Sequence, residues 1–170
     1  MKKQQKGFSL IELLIVVAII LIIAAIAIPN LLRSKMAANE SSAVGSMRTI
    51  NTAEVTYATA YPGTGYSATL QALGGTAVVC AGAAGATVAN ACLIDNVLAL
   101  AVAAGVAKSG YFFTYGGLVA AGGINTAYTI LASPANPGTT GQRDFFTDQT
   151  GVIRYDLGGG GANNTSSPIQ

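Results

Sequence analysis

The chain has 170 residues, of which 51% are hydrophobic and only 9% are charged. It contains no His and no Trp, and Lys and Arg together exceed Asp and Glu by only 9 to 7. The missing imidazole removes the commonest general base and the commonest neutral metal ligand, and the near balance of charge favours no polyanionic partner. We therefore expect one domain of modest size that is not an enzyme, holds no cofactor and binds no nucleic acid.

The N-terminal part is dominated by an apolar run that is uninterrupted over residues 13–28. As a helix, residues 8–28 would span about 30 Å, the thickness of the hydrocarbon core of a bilayer. The run is apolar all round, which is typical of a helix surrounded by lipid or by other apolar helices. Because Lys2, Lys3 and Lys6 precede it, we expect a cytoplasmic N-terminus and an exported remainder.

Glu12 is the one charged residue within residues 8–28. A carboxylate in an apolar span costs free energy, so it indicates a functional role by default. The alternative is a Glu at the start of the helix that reaches the headgroups beside the positive end of the helix dipole. The residues alone leave both interpretations open.

Residues 6–32, KGFSLIELLIVVAIILIIAAIAIPNLL, resemble the N-terminal cleavage and methylation motif of type IV pilins and of type II secretion pseudopilins. The resemblance implies that a dedicated prepilin peptidase cuts after Gly7 and methylates the new amino group of Phe8. It also implies that Glu12 and Pro29 serve in filament assembly. Without the three leader lysines the chain would contain 6 basic and 7 acidic residues, which gives a net charge of about −1.

The expected cleavage gives Glu12 a partner. The new ammonium group of Phe8 and the carboxylate of Glu12 would stand at positions i and i+4, on one face of a helix. Within a bundle of apolar helices, the paired charges cost far less than either charge alone. Pairing within the chain or with a neighbouring subunit would then set the axial register of a filament.

Pro29 follows the apolar run and cannot donate a hydrogen bond to the carbonyl of Ala25, so we expect a kink or a loosened turn there, with the helix continuing beyond it. Residues 30–61 have an amphipathic helical pattern that ends at Tyr61-Pro62-Gly63. The apolar positions are Met36, Ala43, Met47, Ile50, Tyr57 and Tyr61. The residues expected to face solvent or polar neighbours are Arg33, Lys35, Asn39, Glu40, Ser41, Arg48, Asn51 and Glu54.

The remaining residues predict a small α+β head. Residues 63–91 are rich in Gly, Ala and Thr, which indicates a surface loop, and residues 93–107 have the spacing of a short second helix. Strand patterns occupy residues 111–115, 127–132, 144–147 and 151–155. We expect an antiparallel sheet of about four strands to pack on the long helix.

The predicted fold class is α+β and similar to type IV pilins: a long N-terminal helix, transmembrane in its first half, a small antiparallel sheet and a short second helix. The Gly-, Asn- and Ser-rich tail is expected to be mobile or draped on the surface. The expected segments are a cleaved leader (1–7), a transmembrane and filament-core helix (8–28), an amphipathic helix that continues into the head (29–61), a loop-rich head (62–157) and the tail (158–170).

Cys80 and Cys92 are the only cysteines, and an exported location favours a disulfide between them over two free thiols. Asp144, Asp148 and Asp156 flank the last predicted hairpin. Major pseudopilins are known for a calcium site in their C-terminal region, but this spacing fits no EF-hand loop. We interpret the three acids as solvated turn residues and predict no metal site.

The function implied is a structural subunit of a type IV pilus-like filament, held in the inner membrane with a periplasmic head and then polymerised into an extracellular pilus. The implied partners are further copies of the subunit, inner-membrane lipid, the prepilin peptidase, an assembly platform protein and its ATPase. One alternative is a type II secretion pseudopilin in a periplasmic pseudopilus. Another is a secreted or single-pass anchored binding domain, with a signal peptide cut after Ala25-Ile26-Ala27.

Overall fold

The computed structural model describes residues 8–82, 85–116, 120–157 and 161–169. By its internal contacts the chain divides into two compact units, Met1–Lys35 and Met36–Gln170. The expected leader 1–7, including the cleavage position Gly7, and the start and last residue of the expected tail lie outside the described residues.

Helix α1 (Leu10–Ala60) contributes residues to both units. It begins directly after Ser9, includes Pro29, and ends just before the predicted stop signal at Pro62. The expected continuation of the helix beyond Pro29 is therefore confirmed. The kink at Pro29 stays a prediction.

The part of α1 in the first unit is an exposed apolar surface. Leu21 is 63% exposed and Ile23 60%, although both are strongly apolar. Within the described residues, α1 is the one helix long and apolar enough to cross a membrane, a test of length and composition that signal sequences and core helices also pass. An uncovered apolar surface of this extent indicates a partner outside the chain, either lipid or protein.

The strands of the second unit are β1 Tyr111–Gly116, β2 Ala120–Ala121, β3 Ile124–Asn125, β4 Thr129–Pro134, β5 Arg143–Asp148, β6 Arg154–Leu157 and β7 Ser167–Pro168. Five of them form the antiparallel main sheet in the order β1-β4-β5-β6-β7, and β2 pairs with β3 separately. The antiparallel sheet is confirmed. Strand β6 begins three residues later than predicted. Gly151, with a φ of +73°, still belongs to the turn, since its N–H donates to the Asp148 carbonyl, and pairing with β5 begins only at Arg154.

The core of the second unit lies between α1 and the main sheet. It joins Met47, Ile50 and Tyr57 of α1 to Phe113 of β1 and Phe145 of β5, and each of these side chains is at most 1% exposed. The spacing of the apolar residues along α1 places them on one face, as the sequence predicts. Met36 and Tyr61, at the ends of the predicted face, are partly exposed.

The segment after α1 differs from the predicted surface loop. It contains two short helices, α2 (Leu70–Leu73) and α3 (Ala77–Ala81), and Leu70 and Leu73 are fully buried. Each helix is capped by a threonine hydroxyl that accepts a backbone N–H, Thr69 for α2 and Thr76 for α3. The prediction of a surface loop is wrong for α2, because a single turn of helix is too short to show a period.

The predicted second helix over residues 93–107 is shorter in the structure. Helix α4 spans Asn96–Leu100, and a separate 3-10 turn spans Ala104–Val106. Asp95 sets the start of α4, because its Oδ1 accepts the Leu98 N–H at 2.9 Å. The tail is attached to the sheet, since β7 pairs with β6 at the sheet edge.

Candidate functional site

Glu12 lies in the first turn of α1, where its Oε2 accepts the backbone N–H of Ser9 at 2.9 Å. Ser9 directly precedes the helix, and Ser-x-x-Glu is the sequence of a capping box, in which the Glu reaches back to the N–H of the capping residue. Glu12 therefore stabilises the start of α1. This geometry agrees with the interpretation of Glu12 as a helix-start acid.

The Ser9 N–H bonds only one of the two oxygens of the Glu12 carboxylate. Among the described residues, Oε1 accepts no hydrogen bond, and the carboxylate as a whole has only the Ser9 contact. An ionised carboxylate accepts several donors, so the Ser9 bond does not exclude a second one. Phe8, whose amino group the expected cleavage would expose, is one helical turn from Glu12 in sequence and 83% exposed.

The predicted site residues fall into two places along α1. Phe8 directly precedes Ser9 and the start of α1, and Glu12 lies in its first turn, whereas Pro29 lies about five turns further on. The apolar surface of α1 separates the two places. Because α1 begins only at Leu10, the expected placement of Phe8 and Glu12 on one helix face stays a prediction.

The predicted disulfide between Cys80 and Cys92 is present, and the described residues contain no free cysteine. It ties the end of α3 to the segment that leads into α4. Gly75 packs against the bridge so closely that an added Cβ would lie 2.6 Å from the Cys80 sulfur and 2.8 Å from the Cys92 sulfur. The disulfide is thus a packed part of the head.

Glu54 of α1 is fully buried and accepts three hydrogen bonds. Its Oε1 accepts the hydroxyls of Ser67 and Tyr115, each at 2.7 Å, and its Oε2 accepts the Ser67 N–H at 2.9 Å. Burial, and next the charge of Glu54, raise the pKa of the Tyr115 and Tyr128 phenols above 10. The cluster joins α1, the segment after it and β1.

Glu40, one of the residues predicted to face solvent or polar neighbours, is buried against Arg143 at the start of β5. Its Oε2 lies 2.8 Å from Nε and 2.7 Å from an Nη of Arg143, and its Oε1 accepts the Gln142 N–H at 2.9 Å. The guanidinium of Arg143 also lies 5.6 Å from the ring centroids of Phe145 and Tyr155. This pair fastens α1 to the sheet.

A sequence signal for these two buried acids exists. Glu54 lies four residues after Ile50 and three before Tyr57, so the helical period places it on the buried face. Glu40 precedes Ala43 by three residues on the same face. An acid at such a position predicts a buried carboxylate with dedicated donors.

The three aspartates near the last hairpin do not share one environment. Asp144 is only 4% exposed, so its interpretation as a solvated turn acid is wrong. It lies on β5, the middle strand of the sheet, opposite Asp156 of β6. Asp148 stands at the turn, where its Oδ1 accepts the Thr150 N–H at 2.9 Å. Across the described residues, no group of three or more His, Cys, Asp and Glu could hold a metal ion.

Residues 2–28 match the family model described as the prokaryotic N-terminal methylation motif. The chain is similar to the type IV wide pilus major component PilA4 of Thermus thermophilus, with 59% identity over 39 residues, which are 23% of this chain and 30% of that protein. It is similar to the type IV major pilin protein PilA of Myxococcus xanthus, with 44% identity over 54 residues, 32% of this chain and 24% of that protein.

A further similarity is to the type IV major fimbrial protein FimA of Dichelobacter nodosus, with 56% identity over 52 residues, 29% of this chain and 33% of that protein. The chain thus matches about a third or less of the length of these curated relatives. No solved structure matches it.

Proposed function

We propose that this chain, which belongs to the type IV pilin family through its N-terminal segment, is a structural subunit of a type IV pilus. The observation that carries the proposal is the exposed apolar half of α1 behind a Ser9–Glu12 cap, within a methylation motif. The three relatives are named as pilus, pilin and fimbrial proteins, which favours a pilus over a type II secretion pseudopilus. The family is one of structural subunits and not of enzymes.

Maturation in this proposal begins with cleavage after Gly7 by a prepilin peptidase and methylation of the amino group of Phe8. The methylated amine keeps its charge. It can pair with the oxygen of Glu12 that Ser9 leaves unbound, either in the same chain or in a neighbour. Pairing between subunits sets the axial register, because only one offset brings amine and carboxylate together.

Assembly replaces the lipid around α1 with neighbouring helices. Exchanging one apolar environment for another gains little free energy, so close packing and the Glu12 pair must supply the specificity. Pro29 lacks a backbone N–H, and the missing hydrogen bond would let α1 bend between its apolar half and the head. The proposed segments are leader 1–7, filament-core helix 8–28, amphipathic helix 29–61, head 62–157 and tail 158–170.

Before assembly, the subunit in this proposal lies in the inner membrane, with its N-terminus cytoplasmic and its head periplasmic. Assembly then carries it into a filament at the cell surface. A prepilin peptidase, an assembly platform protein and its ATPase are the proposed machinery. The three leader lysines support the orientation.

A deletion strain complemented with the wild-type gene or with Gly7→Arg tests the proposal. Electron microscopy should show long surface filaments with the wild-type gene and none with Gly7→Arg, whose subunit should stay uncut in the membrane. Filaments that persist with Gly7→Arg, or a wild-type strain that secretes proteins but bears no long filaments, would refute it.

A further inference from the structure

A groove with a volume of about 510 Å³ opens where β6 and β7 form one edge of the main sheet. The groove is lined by Arg143, Tyr155, Ser167, Pro168 and Ile169. All five residues belong to the second unit. The groove is therefore a feature of the head alone.

Arg143 is held in a fixed position beside this groove. Its Nε and Nη2 bind Oε2 of Glu40 at 2.8 and 2.7 Å, and its guanidinium lies 5.6 Å from the ring centroids of Phe145 and Tyr155. Among the described residues Nη1 has no hydrogen-bond partner, and the side chain is 39% exposed. A guanidinium carries five N–H donors in one plane, so positioned donors remain for a ligand.

Two hydroxyl groups on the lining are also unused. Tyr155 and Ser167 pair through their backbones, but neither side-chain hydroxyl makes a hydrogen bond within the part of the chain that the structure describes. Polar groups in folded proteins normally bind other protein groups or water. Together with Arg143, these residues give the groove three side chains whose hydrogen-bonding capacity the fold does not use.

The charge of the groove selects the class of ligand. Glu40 balances the positive charge of Arg143, and the other lining residues are uncharged. An ionised ligand would gain little net attraction here, whereas a neutral ligand rich in hydroxyl groups can accept from the guanidinium and bond with both hydroxyls. Pro168 and Ile169 add apolar surface, which suits the C–H groups of a sugar ring.

We propose that this groove binds one hexose unit of a neutral saccharide. Its volume lies within the range of small-molecule sites, about 300–1,000 Å³. Arg143 donates to the sugar oxygens, and the hydroxyls of Tyr155 and Ser167 orient the ring. Binding does not depend on filament formation, because every lining residue belongs to the second unit.

Saturation-transfer NMR on the full-length subunit, in a detergent without a sugar headgroup, tests the proposal. The probes are the methyl glycosides of glucose, galactose and mannose, with methyl glucuronide as the charged counterpart. At least one neutral glycoside should bind in the millimolar range, and more tightly than the glucuronide. A soluble polysaccharide built from the sugar that binds distinguishes the two sources of this chemistry: its binding assigns the groove to polysaccharides, and its failure to bind assigns the groove to free sugars.

Two conservative variants connect binding to the groove. Ser167→Ala and Tyr155→Phe each remove one hydroxyl that the fold does not use, so their thermal midpoints should match that of the wild type. Their dissociation constants for the glycoside should rise about fivefold, as expected for one lost hydrogen bond. The matched control is Ser133→Ala, which removes a half-buried hydroxyl outside the groove and should bind as the wild type does.

Failure of all three neutral glycosides to bind the wild-type subunit would overturn the proposal. Tighter binding of the glucuronide would also overturn it, because the groove would then select anions. Equal weakening by Ser133→Ala and Ser167→Ala would place the binding outside the groove. These outcomes are independent of the proposed pilus function, since none of them requires a filament.

Discussion

The carboxylate of Glu12 receives the backbone N–H of Ser9 at 2.9 Å, so the acid proposed to bind a new amino group is already held at the start of its own helix. Glu12→Gln keeps an oxygen acceptor for Ser9 but removes the charge. We expect the variant to insert and accumulate normally and to assemble few or no filaments, because the Phe8 amine loses its counter-ion. Immunoblots of membrane and sheared fractions measure this. Normal filaments from Glu12→Gln would leave helix capping as the only role of the residue.

The Glu40–Arg143 contact should stabilise the head measurably. Glu40→Ala removes an ion pair and leaves the Gln142 N–H without its acceptor. We expect a loss of about 2–3 kcal/mol in the free energy of unfolding, measured by denaturant titration of the full-length chain in detergent.

The matched control for Glu40→Ala is Lys108→Gln, which breaks the more exposed pair with Asp95. Surface pairs contribute about 0–1 kcal/mol, so this variant should unfold close to the wild type. Similar losses of unfolding free energy from both variants would show that the buried Glu40–Arg143 pair stabilises the head no more than the exposed pair does.

Alkaline pH should destabilise the head. Burial raises the pKa of the Tyr111, Tyr115 and Tyr128 phenols above their ordinary value of 10.0. In the unfolded chain these groups lose their protons near pH 10, whereas in the folded chain they keep them. The contribution of these phenols to the free energy of unfolding is therefore fully present below pH 10. It is lost as the pH rises toward the pKa of the folded state, by about 1.4 kcal/mol per pH unit for each group.

Tyr111→Phe separates this effect from general alkaline damage. The variant loses the hydrogen bond from the Tyr111 hydroxyl to the Arg143 carbonyl and should be less stable at pH 7. Above pH 10 its stability should fall less steeply than that of the wild type, because one titrating group is gone. Parallel curves for the two proteins would mean that Tyr111 does not resist ionisation.

The disulfide should stabilise the folded chain, because the loop that it closes restricts the unfolded chain. Cys80 and Cys92 are 12 residues apart, and the chain-entropy model gives about 3 kcal/mol for a loop of this size. We expect the double variant Cys80→Ala, Cys92→Ala to lose about that much unfolding free energy and to be insensitive to reductant. Reduction of the wild type should lower its stability to the same level, and no change on reduction would contradict the prediction.

The sequence predicted the features that have a long period or a specific motif. The apolar positions of α1 repeat over many turns, so Met47 and Ile50 could be assigned to the core in advance. The prepilin motif is continuous, and the assembly role that it implies for Glu12 stays a prediction. Short elements were harder: α2 has one turn, and Asp95 starts α4 later than the apolar spacing suggested.

Buried polar groups were the second difficulty. The donors of Glu54 come from Ser67 and Tyr115, and the partner of Glu40 comes from Arg143, all distant in sequence from the acids they bind. Polarity alone therefore placed both acids toward solvent or polar neighbours, and only the helical position indicated burial. Asp144 was misplaced because nothing in its neighbours shows that β5 is the middle strand.

The most direct test of the account is mass spectrometry of the mature N-terminus of the subunit in sheared surface material. The proposed maturation predicts a chain that begins at Phe8 and carries a methyl group on its amine. A chain that begins at Ile28, or one that still contains the lysines of residues 1–7, would contradict it.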